Sequence, residues 1–406
     1  MHIQFKSAKN LAFYLSHPSS MTRNTKGKDP VKHADKLLIG ANEQGVALFG
    51  GRGSQSYERI VPICEFSLIQ SGAIAVEATK LIGIVRTFGD NPVSLETVIS
   101  NPNRKDTEKA NYRLVVKSGR SRININEVTD PNEVPRNSVQ MNKANSFDFS
   151  LKLLKEMMQS VKPSLREDAA HSTMRCLQLK VSGKALSTST VDGRRLSIAK
   201  CELNEKYDEM VALVPAKVVD LILALSAEQD NCSITIGEAA MSITVGSLKF
   251  QTALMDVKFP DLNLALPKEN LGYAVVQSKP LIEVLERAKI AVDASSNPDS
   301  NIPPRIKLNF RCNGTIHCES FNNNILITEE EFKTEQTKVL SGEEISTAFD
   351  YTYLQQAISA AKCPIVSLTL AEPQHGKNND PALIIVSPID PKKAFNMLAL
   401  ILPHRI

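Results

Sequence analysis

The chain of 406 residues carries 48 Lys and Arg against 44 Asp and Glu, a net charge of +4, with 42% apolar and 23% charged residues. That length is too great for one ordinary domain, so two or three are expected, and no run of about 18 apolar residues offers a membrane span. The opening "MHIQFKSAKN" lacks the apolar centre of an export signal, and seven cysteines without a C-x-x-C fit free thiols, so a reducing, cytoplasmic setting is expected.

In chain order, "IQFKSAKNLAFYLSH" (3–17) predicts a strand followed by an amphipathic helix. Alternating strands follow in "KLLIGANEQGVALFG" (36–50), then a second helix in "VEATKLIGIVRTFG" (76–89) and closing strands in "YRLVVKSGRSRININ" (112–126). The same order returns in "SFDFSLKLLKEMMQSVKP" (146–163), "CLQLKVSGKALSTSTV" (176–191), "VPAKVVDLILALSA" (214–227) and "CSITIGEAAMSITVGSLKFQTAL" (232–254). It returns again in "YAVVQSKPLIEVLERAKIAV" (273–292), "IKLNFRCNGTIHCES" (306–320), "FDYTYLQQAISAAK" (349–362) and the strands "VSLTLAEPQ" and "ALIIVSP". The second helices begin near Val76, Val214 and Phe349, a period of about 135 residues, too long for a solenoid repeat.

The prediction is an α+β fold of three similar domains, 1–141, 142–268 and 269–406, each with two helices packed on antiparallel sheet. Period-two strands imply that each sheet buries one face, covered by the apolar stripes of the helices. Polar stretches at 127–146 and 266–272 read as linkers.

On the helix beginning near Ser150, Leu151, Leu154, Met158 and Val161 make the stripe to be buried. Lys152, Lys155 and Lys162 fall on a neighbouring stripe, a row of ammonium groups suited to tracking phosphates without reading bases, or simply a solvated basic face. Lys80, Arg86, Arg287 and Lys289 add charge on the other modules. Absence of Trp and 5% aromatics disfavour a base-stacking single-strand binder.

No enzyme is expected. "GGRGSQ" (50–55) is Gly-rich but lacks the G-K-[ST] of a P-loop, and no G-x-S-x-G or H-E-x-x-H occurs. The seven histidines lie apart from candidate nucleophiles. Cys312, His317 and Cys318 lack zinc-knuckle spacing and read as buried strand residues, so no metal and no cofactor is expected. In "STVDGRRLSIAKCEL" (189–203), Asp192-Gly193 is a tight-turn signal followed at once by Arg194 and Arg195. A hydrolase using Asp192 with the two arginines would need a second carboxylate or histidine, and none stands nearby in the sequence.

The threefold pattern, with "TVDGRRLS" in the middle module, resembles the bacterial DNA polymerase III β-subunit (sliding clamp) family. Four motifs carry the resemblance in order: Ser118-Gly119-Arg120-Ser121-Arg122, Asp192-Gly193-Arg194-Arg195-Leu196, Phe259-Pro260-Asp261 with Leu266-Pro267-Lys268, and the tail Leu402-Pro403-His404-Arg405-Ile406. Departures are Val191 where the family has Thr, Leu264 where Arg is common, His404 at an apolar position, and long insertions in the first module.

The resemblance implies a non-catalytic DNA sliding clamp: a head-to-tail homodimeric ring around duplex DNA, without sequence readout. DNA-facing residues would be Arg23, Lys80, Lys152, Lys155, Lys162 and Lys289, and the dimer interface would use Ile123 and Ile125 against Ile290 and Ala291. A pocket between the second and third modules would take short peptides (glutamine, then leucine and aromatic residues) from the polymerase catalytic subunit and clamp loader. Its residues would be Met174, Asp192, Gly193, Arg194, Arg195, Leu196, Pro260, Ala265, Tyr353, Leu402, Pro403, His404, Arg405 and Ile406. The alternatives are a β-rich scaffold that never encircles DNA and a decoy clamp that binds partner peptides only.

Overall fold

The computed structural model describes residues 1–21, 33, 35–100, 111–126, 128–136, 141–226, 229–294, 305–322, 325–340, 342–372 and 383–403. By packing, the chain divides into two compact units, one of Met1–Leu151 with Leu225–Leu254 and one of Lys152–Ala224 with Met255–Ile406. The six predicted helices all form: α1 (Ala8–Met21), α2 (Ala78–Arg86), α3 (Leu151–Val161), α4 (Ala216–Leu223), α5 (Ser278–Ala294) and α6 (Tyr351–Ala361).

In the first unit, strands 66–70, 2–5, 93–99, 112–118 and 121–125 make a five-stranded antiparallel sheet in that order. A nine-stranded sheet runs 128–129, 72–77, 36–42, 45–52, 55–61, 248–253, 240–245, 231–236, 145–150. Its middle joint pairs Leu248–Thr252 with Arg59–Gln55, so hydrogen bonding crosses from the first repeat into the second. Ile3, Phe5, Leu37, Ile39, Leu95 and Leu114 from the sheets meet Leu11, Leu15, Leu81 and Val85 from α1 and α2 in one core.

In the second unit, strands 176–191, 195–215, 396–401, 383–388, 365–371, 270–277 and 336–339 make a seven-stranded sheet. Strands 325–333, 315–322, 305–311 and 344–349 make a four-stranded one. The α3 stripe is buried as its spacing predicts, with Met157 added, while Lys152 and Lys162 are exposed and Lys155 is half-buried.

Three expectations change. Sheet faces are not buried on one side only: Val134, in the presumed linker, is 6% exposed and covers Leu38 and Ala75 on the side of the strands away from the main core. The linker's Val128–Thr129 also pairs with Val76–Ala75, satisfying an edge that would otherwise be open. Cys312 is exposed in the turn after strand 305–311, whereas Cys318 is buried.

The Gly-rich run at 50–55 has a packing role. A Cβ on Gly50 would lie 2.0 Å from the Pro18 carbonyl oxygen, so only a hydrogen fits where the strand passes beneath α1. Beside it, Arg59 is 1% exposed, its guanidinium 4.1 Å from the Phe13 ring centroid, and His17 Nε2 accepts from the Ser226 amide at 3.0 Å. Gly50→Ala is expected to cost about 1–3 kcal/mol through forced backbone movement, read as a lowered first thermal transition by circular dichroism.

Candidate functional site

The site grows from the turn between strands 176–191 and 195–215. Asp192 Oδ1 accepts the amides of Arg194 (2.9 Å) and Arg195 (2.7 Å), and the Asp192 amide returns to the Arg195 carbonyl at 3.1 Å. Gly193 sits at φ +85°, the left-handed region that favours glycine, and a side chain there would meet the Met174 methyl at 3.1 Å. The Asp192 side chain is 1% exposed and Arg195 8%, and Oδ2 accepts from Arg195 Nε at 2.8 Å.

Burying this pair is tolerated because further contacts answer the guanidinium. Arg195 Nη1 donates to Gln356 Oε1 at 2.6 Å, and the guanidinium lies 4.0 Å from the Tyr353 ring centroid. Tyr353 and Gln356 are one turn apart on α6, whose start is fixed by Asp350 Oδ1 accepting the Thr352 amide at 2.8 Å. The C-terminal strand Asn396–Ile401 lies alongside, pairing Arg195 with Ile401 and Leu196 with Leu400, and the Leu402 amide donates to the Arg194 carbonyl at 2.9 Å. Leu196 anchors a small apolar cluster with Ala371, Leu383, Ile385 and Leu400, against which Leu262 and Leu266 pack partly exposed.

The expected pocket residues thus fall into distinct roles. Asp192, Gly193, Arg195, Leu196, Tyr353 and Met174 meet around the turn. Arg194, Pro260 and Ala265 are exposed, Leu402 is 37% exposed and Pro403 half-buried, while His404, Arg405 and Ile406 lie outside the described residues. Arg195, expected in the pocket, is buried and bonded within the protein through Nε and Nη1, because a buried guanidinium must be neutralised where it sits. Both Asp192 oxygens serve the turn, so this carboxylate builds structure and is not poised as a base. Gln356 was missed by sequence reading; only its one-turn spacing from Tyr353 could have signalled it.

The cationic set is divided. Lys152 and Lys289 are exposed, Lys80 pairs with Glu77 at 2.9 Å, Lys162 pairs with Asp220, and Arg23 lies outside the described residues. Sequence reading also missed Lys362, in the left-handed position ending α6, which donates to Gln159 Oε1 at 2.7 Å and adds a cation beside the α3 face. Lys393 donates to the Ala361 carbonyl nearby, and burial lowers its ammonium from the usual lysine range. Among the expected interface residues, Ile290 is 68% exposed and Ile123 and Ala291 half-buried. Ile125 is a correction: at 5% exposed it belongs to its own unit's core, because it lies opposite Leu114 on the inward face.

Residues 148–261 match the family profile described as "DNA polymerase III beta subunit, central domain", and residues 263–390 match its C-terminal domain. The beta sliding clamp of Streptococcus pneumoniae is 21% identical over 376 residues, 90% of this chain and 92% of that one. That of Haemophilus influenzae is 22% identical over 75% of this chain and 76% of the relative. Among solved structures, the DNA polymerase beta subunit of Streptococcus pyogenes superimposes with TM-score 0.83 at 20% identity, and the Bacillus subtilis sliding clamp with TM-score 0.82 at 19%, both over 99% or more of each chain. A Pseudomonas aeruginosa sliding clamp bound to griselimycin aligns over the full length of both chains with TM-score 0.81 at 20% identity. The fold is therefore that of the sliding clamps. The chain belongs to the DNA polymerase III β-subunit family.

Replacing Arg195 with Met strands the Asp192 carboxylate and is expected to destabilise the second unit by about 3–5 kcal/mol. Arg194→Ala is expected to stay within about 0.5 kcal/mol of the parent. Denaturant titration of both variants distinguishes a keystone at 195 from an exposed neighbour at 194.

Proposed function

We propose that this protein is a DNA sliding clamp: three modules (1–141, 142–268, 269–406) per chain, two chains head to tail in a ring, duplex DNA through the hole, and partner proteins held at the Gly193 turn. The observation that carries this reading is the clamp fold over the whole chain combined with α3, where Lys152 is exposed and Lys155 half-buried beside the buried apolar stripe. A ring retains DNA by topology, so its direct contacts need only be weak phosphate contacts, and ammonium groups suit them.

Ring closure is supported by two open sheet edges. Strand Ser121–Ile125 ends the five-stranded sheet with Arg120 and Arg122 exposed; strand Ile325–Lys333 ends the four-stranded sheet, where Glu329, Glu330 and Glu331 pair with His317, Arg287 and Arg311 of the same chain. Ile290, Ile325 (65% exposed) and Leu326 (46%) add apolar surface suited to association. A heterologous interface of this kind closes into a ring when the rotation per copy completes a circle. The polymerase catalytic subunit and clamp loader are the partners this reading assigns to the surface beside Gly193 and Leu402, through short peptides that bury an apolar anchor.

Light scattering should give about twice the chain mass; a monomer at micromolar concentration would favour a non-encircling scaffold. Loaded on a nicked circle, the protein should survive moderately high salt and leave on linearisation, and retention on the linear form would exclude a sliding ring. Joint Lys152→Glu and Lys155→Glu substitution should flatten the salt dependence of duplex affinity, by about 0.9 in log–log slope for each phosphate no longer neutralised.

A further inference from the structure

We propose that a cleft in the second unit, between the bulged part of strands 176–191 and 195–215 and the segment leading into strand 396–401, binds a polyphosphate group. The ammonium groups of Lys184, Lys200 and Lys393 hold it.

The long hairpin does not pair evenly. Val181 lies opposite Met210, Gly183 opposite Tyr207 and Ala185 opposite Glu202, so residues 182 and 184 each face a longer stretch of the partner strand. Gly183 sits at φ +60°, and a Cβ there would meet nothing within 4 Å, so glycine serves the left-handed backbone and not a close approach. Bulges of this kind bend a strand and re-aim its side chains. Here a cleft of about 600 Å³ opens, its wall including Ser182, Lys184, Lys200, Glu202, Lys393 and Asn396. That volume suits a small molecule. In the shared ladder Arg195 pairs with Ile401 and Lys200 with Asn396, which sets the cleft about 17 Å along the strand from Arg195. It is a different surface from the Gly193 turn.

Three ammonium groups from three segments meet one carboxylate, Glu202, at this cleft. Elsewhere on the hairpin Lys180 is answered by Glu209 at 3.3 Å. Lys184 and Lys200 are exposed and, among the described residues, have no ion-pair partner. Lys393 is half-buried and held in place: Nζ donates to the neutral Ala361 carbonyl and lies 4.8 Å from the Phe395 ring centroid. An ammonium has three donors, so that bond leaves two for a ligand. Ammonium groups act as point charges without the planar fork of a guanidinium, which suits a multiply charged tetrahedral oxyanion better than a single carboxylate. Phe395 is 5% exposed, so the cleft offers no aromatic face to a base, and recognition rests on the phosphates. A ligand bound there would bridge the second repeat to the last strand of the third and raise the unit's thermal transition by mass action.

The test titrates sodium pyrophosphate and, separately, ATP into the full-length protein by calorimetry at low salt without divalent cations. Pyrophosphate should bind the parent, raise its melting temperature and weaken as salt is added. Joint Lys184→Gln and Lys200→Gln substitution should weaken binding about tenfold, at about threefold for each exposed ion pair lost. Lys393→Met should weaken it as well, while Lys393→Arg keeps it; melts without ligand confirm that each variant folds. Equal affinity for the two ligands assigns the site to a free polyphosphate, and tighter binding of ATP to a nucleotide; both support the proposal. No binding of either ligand to the folded parent, or unchanged affinity in the Lys184→Gln, Lys200→Gln protein, overturns it. So does loss of pyrophosphate binding in the Lys152→Glu, Lys155→Glu protein with displacement by a short DNA duplex, which would place the phosphates on α3 instead.

Discussion

The buried pair between Asp192 and Arg195 is the constraint around which the second unit's turn, α6 and C-terminal strand are arranged. Two charges at 2.8 Å, each almost wholly withdrawn from water, would be a net cost without further partners. The amides of 194 and 195, the Gln356 side-chain oxygen and the face of Tyr353 supply them. These partners come from the turn and from α6, so satisfying the charge also fixes the turn, α6 and the adjoining C-terminal strand in one arrangement. Such a pair specifies geometry more than it adds stability.

Strand addition extends the same logic. Arg195 and Leu196 are the first residues of a strand that takes Asn396–Ile401 as its neighbour, so the second repeat and the third share one sheet. In the first unit, strand 55–61 accepts strand 248–253 in the same manner. Each of these joints consumes edges that would otherwise stay open to pairing. Residues 121–125 and 325–333 are among the strands that remain at sheet edges.

Adjacent residues on a strand are separated by the pleat, and this separates the fates of Arg194 and Arg195. Arg194 ends the turn and faces solvent; Arg195 enters the ladder with its side chain turned inward. Two identical side chains one position apart therefore perform unlike tasks: one holds the scaffold, the other presents charge. A reading by composition treats them as a single basic dipeptide.

Sequence by itself determined the six helices, the alternating strands, the threefold recurrence and the Asp-Gly turn, because periodicity and turn chemistry are local properties. It also marked four of the buried α3 residues, since Leu151, Leu154, Met158 and Val161 recur at helical spacing, while Met157 was added by the structure. Only the tertiary structure decided that Gly50 must lack a side chain under Pro18, that Val134 covers Leu38, that Ile125 is core, and that Gln356 and Lys362 join the sites. Each of these depends on a partner far away in the chain, and no local pattern encodes which distant backbone or side chain will arrive.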